Sequence, residues 1–195
     1  MEQVSLVPIL VWVAALVFWG LSVWWAPRPI LSTYVIDRLL RYLFIFPLGI
    51  GGLWAFVGHV FFPERAAAAI GWAPSPFQFE VGYANLGLGL ASLYAAYTGF
   101  YPRVAVAIAA SCFLVGAGIG HVHDIVAYGN LTPGNAGPIL VTDFLTPMAV
   151  LALLLLVARR PRPKSPDTLA LEAELEVARR AMRSYRDALD KFVKE

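Results

Sequence analysis

The sequence predicts an all-α fold, a polytopic membrane bundle of five transmembrane helices followed by a C-terminal amphipathic helix. Three observations predict this class. Of the 195 residues, 59% are hydrophobic and only 14% are charged, whereas a soluble globular domain has about 45–50% and about 25%. Five apolar runs approach the length of roughly 20 residues that crosses a hydrocarbon core about 30 Å thick. More than half of the charged residues lie in residues 161–195, where apolar residues recur with heptad spacing.

The five apolar runs define the expected organisation of the chain. They cover residues 5–26, 42–62, 80–101, 104–126 and 138–158. The mixed segment 30–41 either lies in the membrane interface or extends the second helix. We expect a first transmembrane helix in residues 1–29, a four-helix membrane core in residues 30–160, and a cytoplasmic linker with an amphipathic helix in residues 161–195. A four-span arrangement, with the first or second run not crossing, is the weaker alternative.

The placement of basic residues predicts the orientation. With five spans, eight basic residues fall on one side and only Arg65 on the other. The eight are Arg28, Arg38, Arg41, Arg103, Arg159, Arg160, Arg162 and Lys164. Because Arg and Lys are enriched in cytoplasmic loops, we predict a multi-pass protein of the prokaryotic inner membrane with its C-terminus in the cytoplasm. The basic residues do not form an extended stripe, so no nucleic-acid partner is expected.

Residues 166–195 predict a helix that docks on a partner. Apolar residues follow alternating spacings of four and three, which is the pattern of a coiled-coil seam. They are Leu171, Leu175, Ala178, Met182, Tyr185, Leu189 and Phe192. An isolated helix is marginal in water, so the seam should be buried against another membrane-protein subunit, a second copy or the membrane surface. An amphipathic helix lying on the protein's own cytoplasmic face explains the pattern equally well.

Polar residues of four helices are expected at one face of the membrane. His59 lies as many residues from Arg41 as Asn85 and His121 lie from Arg103, which is about 27 Å along a helix. Counting along the helices in the same way places the carboxylates of Glu80, Asp124 and Asp143 near the same depth in the membrane. The predicted outer-mouth polar cluster is therefore His59, Glu80, Asn85, His121, Asp124 and Asp143. The loops 62–80 and 127–138 flank this face and could cover it.

Within the stretch "GAGIGHVHD", His121 and Asp124 form the pair that most needs an explanation. Residues three apart share a helix face, whereas His123 points about 200° away from His121. The three glycines of this stretch are explained by close approach of neighbouring helices. The histidine and the aspartate could hold a ligand, carry protons or pair with each other near the lipid headgroups.

A transition metal is one candidate ligand for this cluster. Imidazole and carboxylate groups suit Zn, Fe or Cu. The candidate metal ligands are His59, Glu80, His121 and Asp124, with Asp143 as an orienting group or further ligand. A haem held by His59 and His121 is a second possibility. The chain has none of the short metal-binding motifs with diagnostic spacing, so interfacial polarity explains the same residues.

Three stretches resemble an uncharacterised family of small polytopic prokaryotic membrane proteins. They are "APSPFQFEVG", "GAGIGHVHD" and "GNLTPGNAGP", which carry the patterns SPFQxE, GHxxD and GNxxPGNxG. The resemblance covers the second to the fifth run, and the first run and the heptad tail look like additions. It implies a compact helical bundle and no known activity. It also draws attention to Gln78, Glu80, His121 and Asp124, which stand within these motifs.

Two functional classes remain. The first is an accessory or scaffold subunit of a larger membrane assembly, which docks through the C-terminal helix and its transmembrane faces. The second is a small membrane enzyme, transporter or cofactor-binding protein with a His/carboxylate site at the outer mouth. The chain lacks a nucleophile–base motif, a nucleotide-binding loop and a decisive metal motif. These observations favour the scaffold and disfavour an enzyme.

Overall fold

The computed structural model describes residues 6–25, 29, 32–160 and 166–194, without the side chains of 166–169, 191 and 194. Every regular element in these residues is a helix, which confirms the all-helical prediction. The helices are α1 (Val7–Trp24), α2 (Thr33–Phe61), α3 (Pro63–Ile70), α4 (Phe77–Ala96), α5 (Phe100–Tyr128), α6 (Pro138–Ala158) and α7 (Pro166–Lys194). The ends of the first predicted run, and the predicted topology residues Arg28, Arg162 and Lys164, lie outside the described residues.

Four of the described helices are long and apolar enough to cross a membrane, namely α1, α2, α5 and α6. They correspond to four of the five predicted runs. The third run forms α4, which has 20 residues but is less apolar because it carries Gln78, Glu80 and Asn85. The structure therefore supports a membrane protein with four clear spanning helices, and α4 is a helix of matching length without their hydropathy.

Helix α2 includes most of the mixed segment 30–41. From the sequence, this segment was expected either to lie in the membrane interface or to extend the second helix. Helix α2 begins after Ser32, whose hydroxyl accepts a hydrogen bond from the backbone N–H of Val35. The helix is π-helical over Phe44–Ile50 and α-helical on either side. Pro47 lies in this stretch and has no N–H for the regular ladder. From Thr33 onward, the segment is an extension of the second helix.

The chain folds as two compact units, Met1–Arg159 and Arg160–Glu195. Helix α1 is part of the first unit and is held there by two indole groups. Trp12 donates to the Thr146 hydroxyl at 3.1 Å, and Trp19 donates to the Val35 carbonyl at 3.1 Å. In the second unit, α7 is a continuous helix of 29 residues.

Helices α2 and α4 approach each other through glycines. A Cβ atom added to Gly52 would lie 3.0 Å from the Asn85 carbonyl oxygen and 3.0 Å from the Cα of Gly89. A Cβ on Gly89 would lie 3.0 Å from the carbonyl oxygen of Gly49. These distances leave no room for a side chain without movement of the backbone. The close approach brings Asn85 against α2 in the interior of the bundle.

The packing explanation of the "GAGIGHVHD" glycines holds for only one of them. A Cβ on Gly118 would meet the Phe144 ring at 2.8 Å. In contrast, no atom of a neighbouring residue lies within 4 Å of the Cβ position at Gly116 or Gly120. The expectation that all three glycines serve helix packing was therefore wrong. Gly116 is exposed because it points away from the bundle.

Arg103 joins three helices at one end of the bundle. Its side chain is buried and forms an ion pair with Asp37 near the start of α2. It also donates to the carbonyls of Ala95 and Ala96 at the end of α4, each at 3.0 Å. These contacts hold the start of α2, the end of α4 and the start of α5 together. The end of α2, the start of α4 and the end of α5 therefore lie together at the opposite end of the bundle.

The hydrophobic core lies mainly toward the Arg103 end. Its fully buried side chains include Leu40, Leu43 and Phe44 of α2, which pack with small residues of α4 and α5 and with Val150 and Leu154 of α6. The other end of the bundle contains several buried polar side chains, and these build the candidate site.

Candidate binding cavity

The loop that follows α5 binds the end of the short helix α3. The backbone N–H of Gly134 donates to the Ala69 carbonyl at 3.0 Å. The side-chain amide of Asn130 donates to the Ile70 carbonyl at 2.8 Å, and the Thr132 hydroxyl lies 2.6 Å from the same oxygen. These groups satisfy carbonyls that a helix C-terminus leaves without intrahelical partners. The two loops that flank the predicted outer face are therefore joined to each other.

Gly134 is required at this contact for steric reasons. A Cβ atom at this position would overlap the Ala69 carbonyl oxygen. Gly71, which ends α3, has φ +81°, the left-handed conformation that glycine adopts at helix C-termini without strain. The glycines thus allow the first loop to turn sharply and the second loop to lie directly on α3.

Asn135 extends from this loop into the interior and fixes the ring of His121. Its side chain is 0% exposed. Its amide nitrogen donates to the carbonyl of Asn130 at 2.9 Å and to the carbonyl of His121 at 3.3 Å. Its Oδ1 atom lies 2.7 Å from Nδ1 of His121. Because the amide oxygen can only accept, the Nδ1 atom must carry a hydrogen and donate it.

The other ring nitrogen of His121 faces the carboxylate of Asp143; it accepts hydrogen bonds in the neutral ring and forms an ion pair with the carboxylate when the ring is protonated. In neutral imidazole one nitrogen carries a hydrogen and the second has a free lone pair. The Nε2 atom of His121 lies 3.8 Å from Oδ2 of Asp143. His121 is 5% exposed and Asp143 is 7% exposed. Among the described residues, Asp143 Oδ2 has no hydrogen-bond partner, and it faces the His121 ring in a buried position.

Trp72 lies over His121. The two rings are stacked, with their centroids 5.7 Å apart and their planes inclined by 25°. The indole N–H of Trp72 donates to Oδ2 of Asp124 at 2.9 Å, and the amide of Asn130 donates to the same oxygen. Asp124 therefore anchors Trp72 and the loop, and it does not pair with His121. His123 is exposed and makes an edge contact with the Tyr128 ring.

A cavity of about 210 Å³, partly open to the surface of the bundle, is bordered by α1, α2, α4, α5 and α6. Most of its wall is apolar, with Trp12, Leu48, Trp54, Leu88 and Leu114 among the lining side chains. The polar residues that line it are His59, Asn85, Ser92, His121, Thr142, Asp143 and Thr146. Among the described residues, His59 Nδ1, Ser92 Oγ and Asp143 Oδ2 are buried atoms without a hydrogen-bond partner. Polar atoms of three helices are thus unsatisfied around one cavity.

Four residues of the predicted outer-mouth cluster line this cavity, namely His59, Asn85, His121 and Asp143. The other two, Glu80 and Asp124, are not among its lining residues. Glu80 is exposed on the first turn of α4, and Asp124 is partly exposed beside Trp72. Gln78, which the SPFQxE pattern singled out, is buried with its Oε1 atom unpartnered, and it also lies outside the lining of the cavity.

The predicted metal set is not assembled in the described part of the chain. No group of three or more His, Cys, Asp and Glu side chains there is arranged to hold a metal ion. The geometric reason is that His59 and His121 line the cavity, whereas Glu80 and Asp124 do not. What the interior offers instead is a His–Asp pair and isolated polar groups in an apolar cavity.

Sequence reasoning missed three residues that shape this site. Asn135 stands in a turn-rich stretch, where asparagines usually bond to nearby backbone. Apart from the nearby glycines, no feature of the sequence indicated that Asn135 contacts His121. Trp72 stands between spans, where tryptophan is usual at the membrane interface. Ser92 is a small polar residue in an apolar helix, which is common in helix packing.

Comparison with known proteins yields one match. No curated protein and no solved structure matches the chain. A family model, described as a family of unknown function (DUF6790), matches residues 5–163. The match includes α1, so the expectation that the first apolar run is an addition to the family was wrong. The matched segment ends before α7 begins. Because the matched segment spans most of the sequence, the chain belongs to the family of unknown function DUF6790.

Proposed function

We propose that this protein binds a small, largely apolar molecule in the cavity inside its membrane helix bundle. The observation that carries the proposal is the set of buried, unpartnered atoms His59 Nδ1, Ser92 Oγ and Asp143 Oδ2, whose residues all line one cavity. A buried polar group without a partner costs about 1–3 kcal/mol. Three such groups around one cavity favour a ligand that supplies the missing hydrogen bonds.

The size and the lining of the cavity indicate the size of the ligand. Its volume is about 210 Å³, and an apolar cavity of about 150 Å³ in another protein binds benzene. The ligand is therefore a molecule of one aromatic ring, or of similar bulk, with few polar atoms. Apolar walls with a small number of placed polar groups are typical of small-molecule sites. This proposal ranks the ligand-binding class above the scaffold class that the sequence favoured.

Binding of benzyl alcohol, which has one aromatic ring and a hydroxyl that can donate and accept hydrogen bonds, to the full-length protein in mild detergent tests the proposal. We expect saturable binding by calorimetry and a rise in melting temperature. Ala117, which lines the cavity next to His121 on the same face of α5, gives the cavity-filling variant Ala117→Leu, and this variant should lose benzyl alcohol binding. Ala109 on the same helix is exposed, so Ala109→Leu is the matched control and should keep it. Equal binding by the two variants, or no binding to the wild type, contradicts the proposal.

For the membrane arrangement we propose five crossings, with α4 as the additional one and the C-terminus in the cytoplasm of a prokaryotic inner membrane. The 20 residues of α4 span about 30 Å. The contacts of Arg103 with Asp37 and with the end of α4 support alternating directions for α2, α4 and α5. The Arg and Lys excess on one side supports the orientation.

The second candidate function is docking of other membrane-protein subunits, or of a second copy, through α7. The observation that favours it is the exposure of the large apolar side chains along the predicted seam. Exposed apolar residues at heptad spacing are costly in water and are buried on a partner helix in coiled coils. A protein can bind a ligand in its membrane unit and also dock through its tail, so the two candidates are tested separately.

A further inference from the structure

We propose that α7 binds the α7 helix of a second copy of this chain, and that the two helices pair in the parallel direction as a coiled coil. This inference rests on the docking function proposed for α7 and names the partner. The seam from Leu171 to Phe192 covers three heptads, which is about 32 Å of helix. Its six large apolar side chains are 45–79% exposed in the single chain, so pairing with a second helix would bury them.

Two charged residues border this seam and distinguish its possible partners. Glu174 immediately precedes one seam residue and Arg179 immediately follows another, so they occupy the two flanking heptad positions that face a partner helix. Both side chains are exposed, and neither has an ion pair or hydrogen bond within the described part of the chain. In contrast, Glu176 forms ion pairs with Arg180 and Arg183 of its own helix. Glu174 and Arg179 are therefore available to a partner.

The spacing of these two residues matches a parallel pair of identical helices. In a parallel coiled coil, the residue before a seam position faces the partner residue five positions further along the chain. Glu174 and Arg179 are five residues apart, so Glu174 of each copy lies opposite Arg179 of the other, and twofold symmetry repeats the contact. The next residues on the Glu174 flank are Ala181 and Ala188, so no like charges face each other further along the seam. The flanking charges of α7 thus complement those of its own copy.

The same charges disfavour the antiparallel direction. In an antiparallel coiled coil, residues of the same flank face each other, and the flank that carries Arg179 also carries Glu172 and Arg186. In the register that pairs most of the seam, Glu172 would face Arg186, but Arg179 would face Arg179 of the second copy. Like charges placed opposite each other at an interface are unfavourable. The parallel direction avoids this contact at the centre of the seam.

The short connection to the membrane unit also favours the parallel direction. Only residues 159–165 separate the end of α6 at Ala158 from the start of α7 at Pro166. In two neighbouring copies in one membrane, both α7 helices therefore start at the same membrane face. This common starting point is the arrangement of a parallel coiled coil.

The charges of α7 disfavour the membrane surface as its partner. Helices that lie on anionic lipids carry an excess of Lys and Arg on their polar face. Residues 166–195 contain seven acidic and six basic residues, so the segment has no such excess. Glu176 and Asp187 lie on the polar side of the helix, where anionic headgroups would repel them. A second copy satisfies the seam and its flanking charges, whereas an anionic bilayer satisfies only the seam.

Exchange of the flanking charges in the full-length protein in mild detergent tests the proposal. Glu174→Arg alone places arginine against arginine, and Arg179→Glu alone places glutamate against glutamate. Each variant should self-associate at least about tenfold more weakly than the wild type. A mixture of the two variants restores both Glu–Arg pairs between unlike copies and should form a mixed dimer with about wild-type affinity. Native mass spectrometry separates the mixed dimer from the two homodimers by mass, and its formation also shows that both variants fold.

Asp187→Arg is the matched control for Glu174→Arg. It makes the same change of charge at an exposed position on the face away from the seam, and it should self-associate like the wild type. An equal loss in this control would assign the effect to net charge and overturn the proposal. Failure of the mixture to form a dimer, or single variants that associate as strongly as the wild type, would exclude the parallel pair.

The wild-type protein separates this inference from the docking function on which it rests. If the wild type does not associate with itself but associates with other subunits through the seam, the second copy is the wrong partner and the docking function stands. If it associates neither with itself nor with another protein, both proposals are wrong.

Discussion

The ring of His121 on α5 is fixed by the loop amide of Asn135, whose Oδ1 lies 2.7 Å from Nδ1 of the ring. The histidine belongs to a membrane helix, and the asparagine belongs to the loop that joins α5 to α6. The same asparagine donates to the carbonyl of His121, so the two residues contact each other through side chain and backbone. Loop and helix are therefore coupled at the residue that also faces Asp143.

Replacement of His121 by alanine should destabilise the membrane unit by about 2–4 kcal/mol. The loss has two causes: the buried ring stacks on Trp72, and its removal leaves Oδ1 of Asn135 without a donor. Unfolding in mild detergent, followed by circular dichroism, measures the change. His123→Ala is the matched control, because this histidine is exposed, and it should stay within about 0.5 kcal/mol of the wild type.

A double substitution of His121 and Asn135 checks the physical reason. Because the two side chains satisfy each other, the loss in His121→Ala/Asn135→Ala should be smaller than the sum of the single losses by about 0.5–3 kcal/mol. Additive losses would show that the two residues act independently, and the account of a His121 ring that is fixed by Asn135 would then lose its basis.

Two glycines of α4 should respond differently to replacement by alanine. Gly89→Ala places a Cβ 3.0 Å from the Gly49 carbonyl oxygen and 3.2 Å from the Leu53 nitrogen, so backbone must move. We expect a loss of about 1–3 kcal/mol in the free energy of unfolding. Gly87 has no neighbouring atom within 4 Å of its Cβ position, and alanine there should be neutral or stabilise by up to about 1 kcal/mol. Equal effects would contradict the close contact of α2 with α4.

The convergence of three polar residues on one cavity could be predicted from the sequence because the rise of a helix is fixed. Counting from Arg41 and Arg103 brought His59, Asn85 and His121 to one level, and all three line the cavity. The helical spacing also separated His123 from His121 correctly. The four helices of spanning length and hydropathy could also be predicted, because length and composition are properties of a single segment.

The direction in which each helix face points could not be predicted, because it depends on neighbours. Asp124 shares a face with His121 by spacing, yet it bonds to Trp72 from the loop after α3. Gly116 and Gly120 looked like packing residues, yet they meet no neighbouring atom, whereas Gly118 meets Phe144. Asn135 reaches His121 across a turn whose path depends on Gly134 lying against α3. Periodicity within one helix contains no information about such contacts.

Cysteine accessibility should establish whether α4 crosses the membrane. In a Cys112→Ser background, single cysteines at Ala73 before α4 and at Gly99 after it occupy exposed positions. With five crossings, an impermeant maleimide added to intact cells labels Ala73→Cys, and it labels Gly99→Cys only after permeabilisation. Labelling of both positions from the same side would mean that α4 does not cross. A third cysteine at Ala170 reports the side of the C-terminal helix and should behave like Gly99→Cys.

Substitutions on the seam of α7 test the docking function. Leu175 and Leu189 are exposed seam residues, and Val177 is an exposed apolar residue off the seam. We expect Leu175→Glu and Leu189→Glu to abolish association of the protein with partner subunits or with itself, because a charge at a coiled-coil core position is desolvated without a partner. Val177→Glu has the same change in charge and should leave association intact. Native mass spectrometry and co-purification from mild detergent measure the associated fraction.

The same experiment separates the docking function from ligand binding. Because α7 belongs to a different compact unit from the cavity, the seam variants and a chain that ends at residue 165 should bind benzyl alcohol with wild-type affinity. If association survives both Leu→Glu changes and the truncation, α7 is not the docking element. If the truncation removes association and Val177→Glu removes it as well, the effect of the substitutions arises from their charge and not from the heptad seam. A polar surface rather than a coiled coil would then mediate the contact.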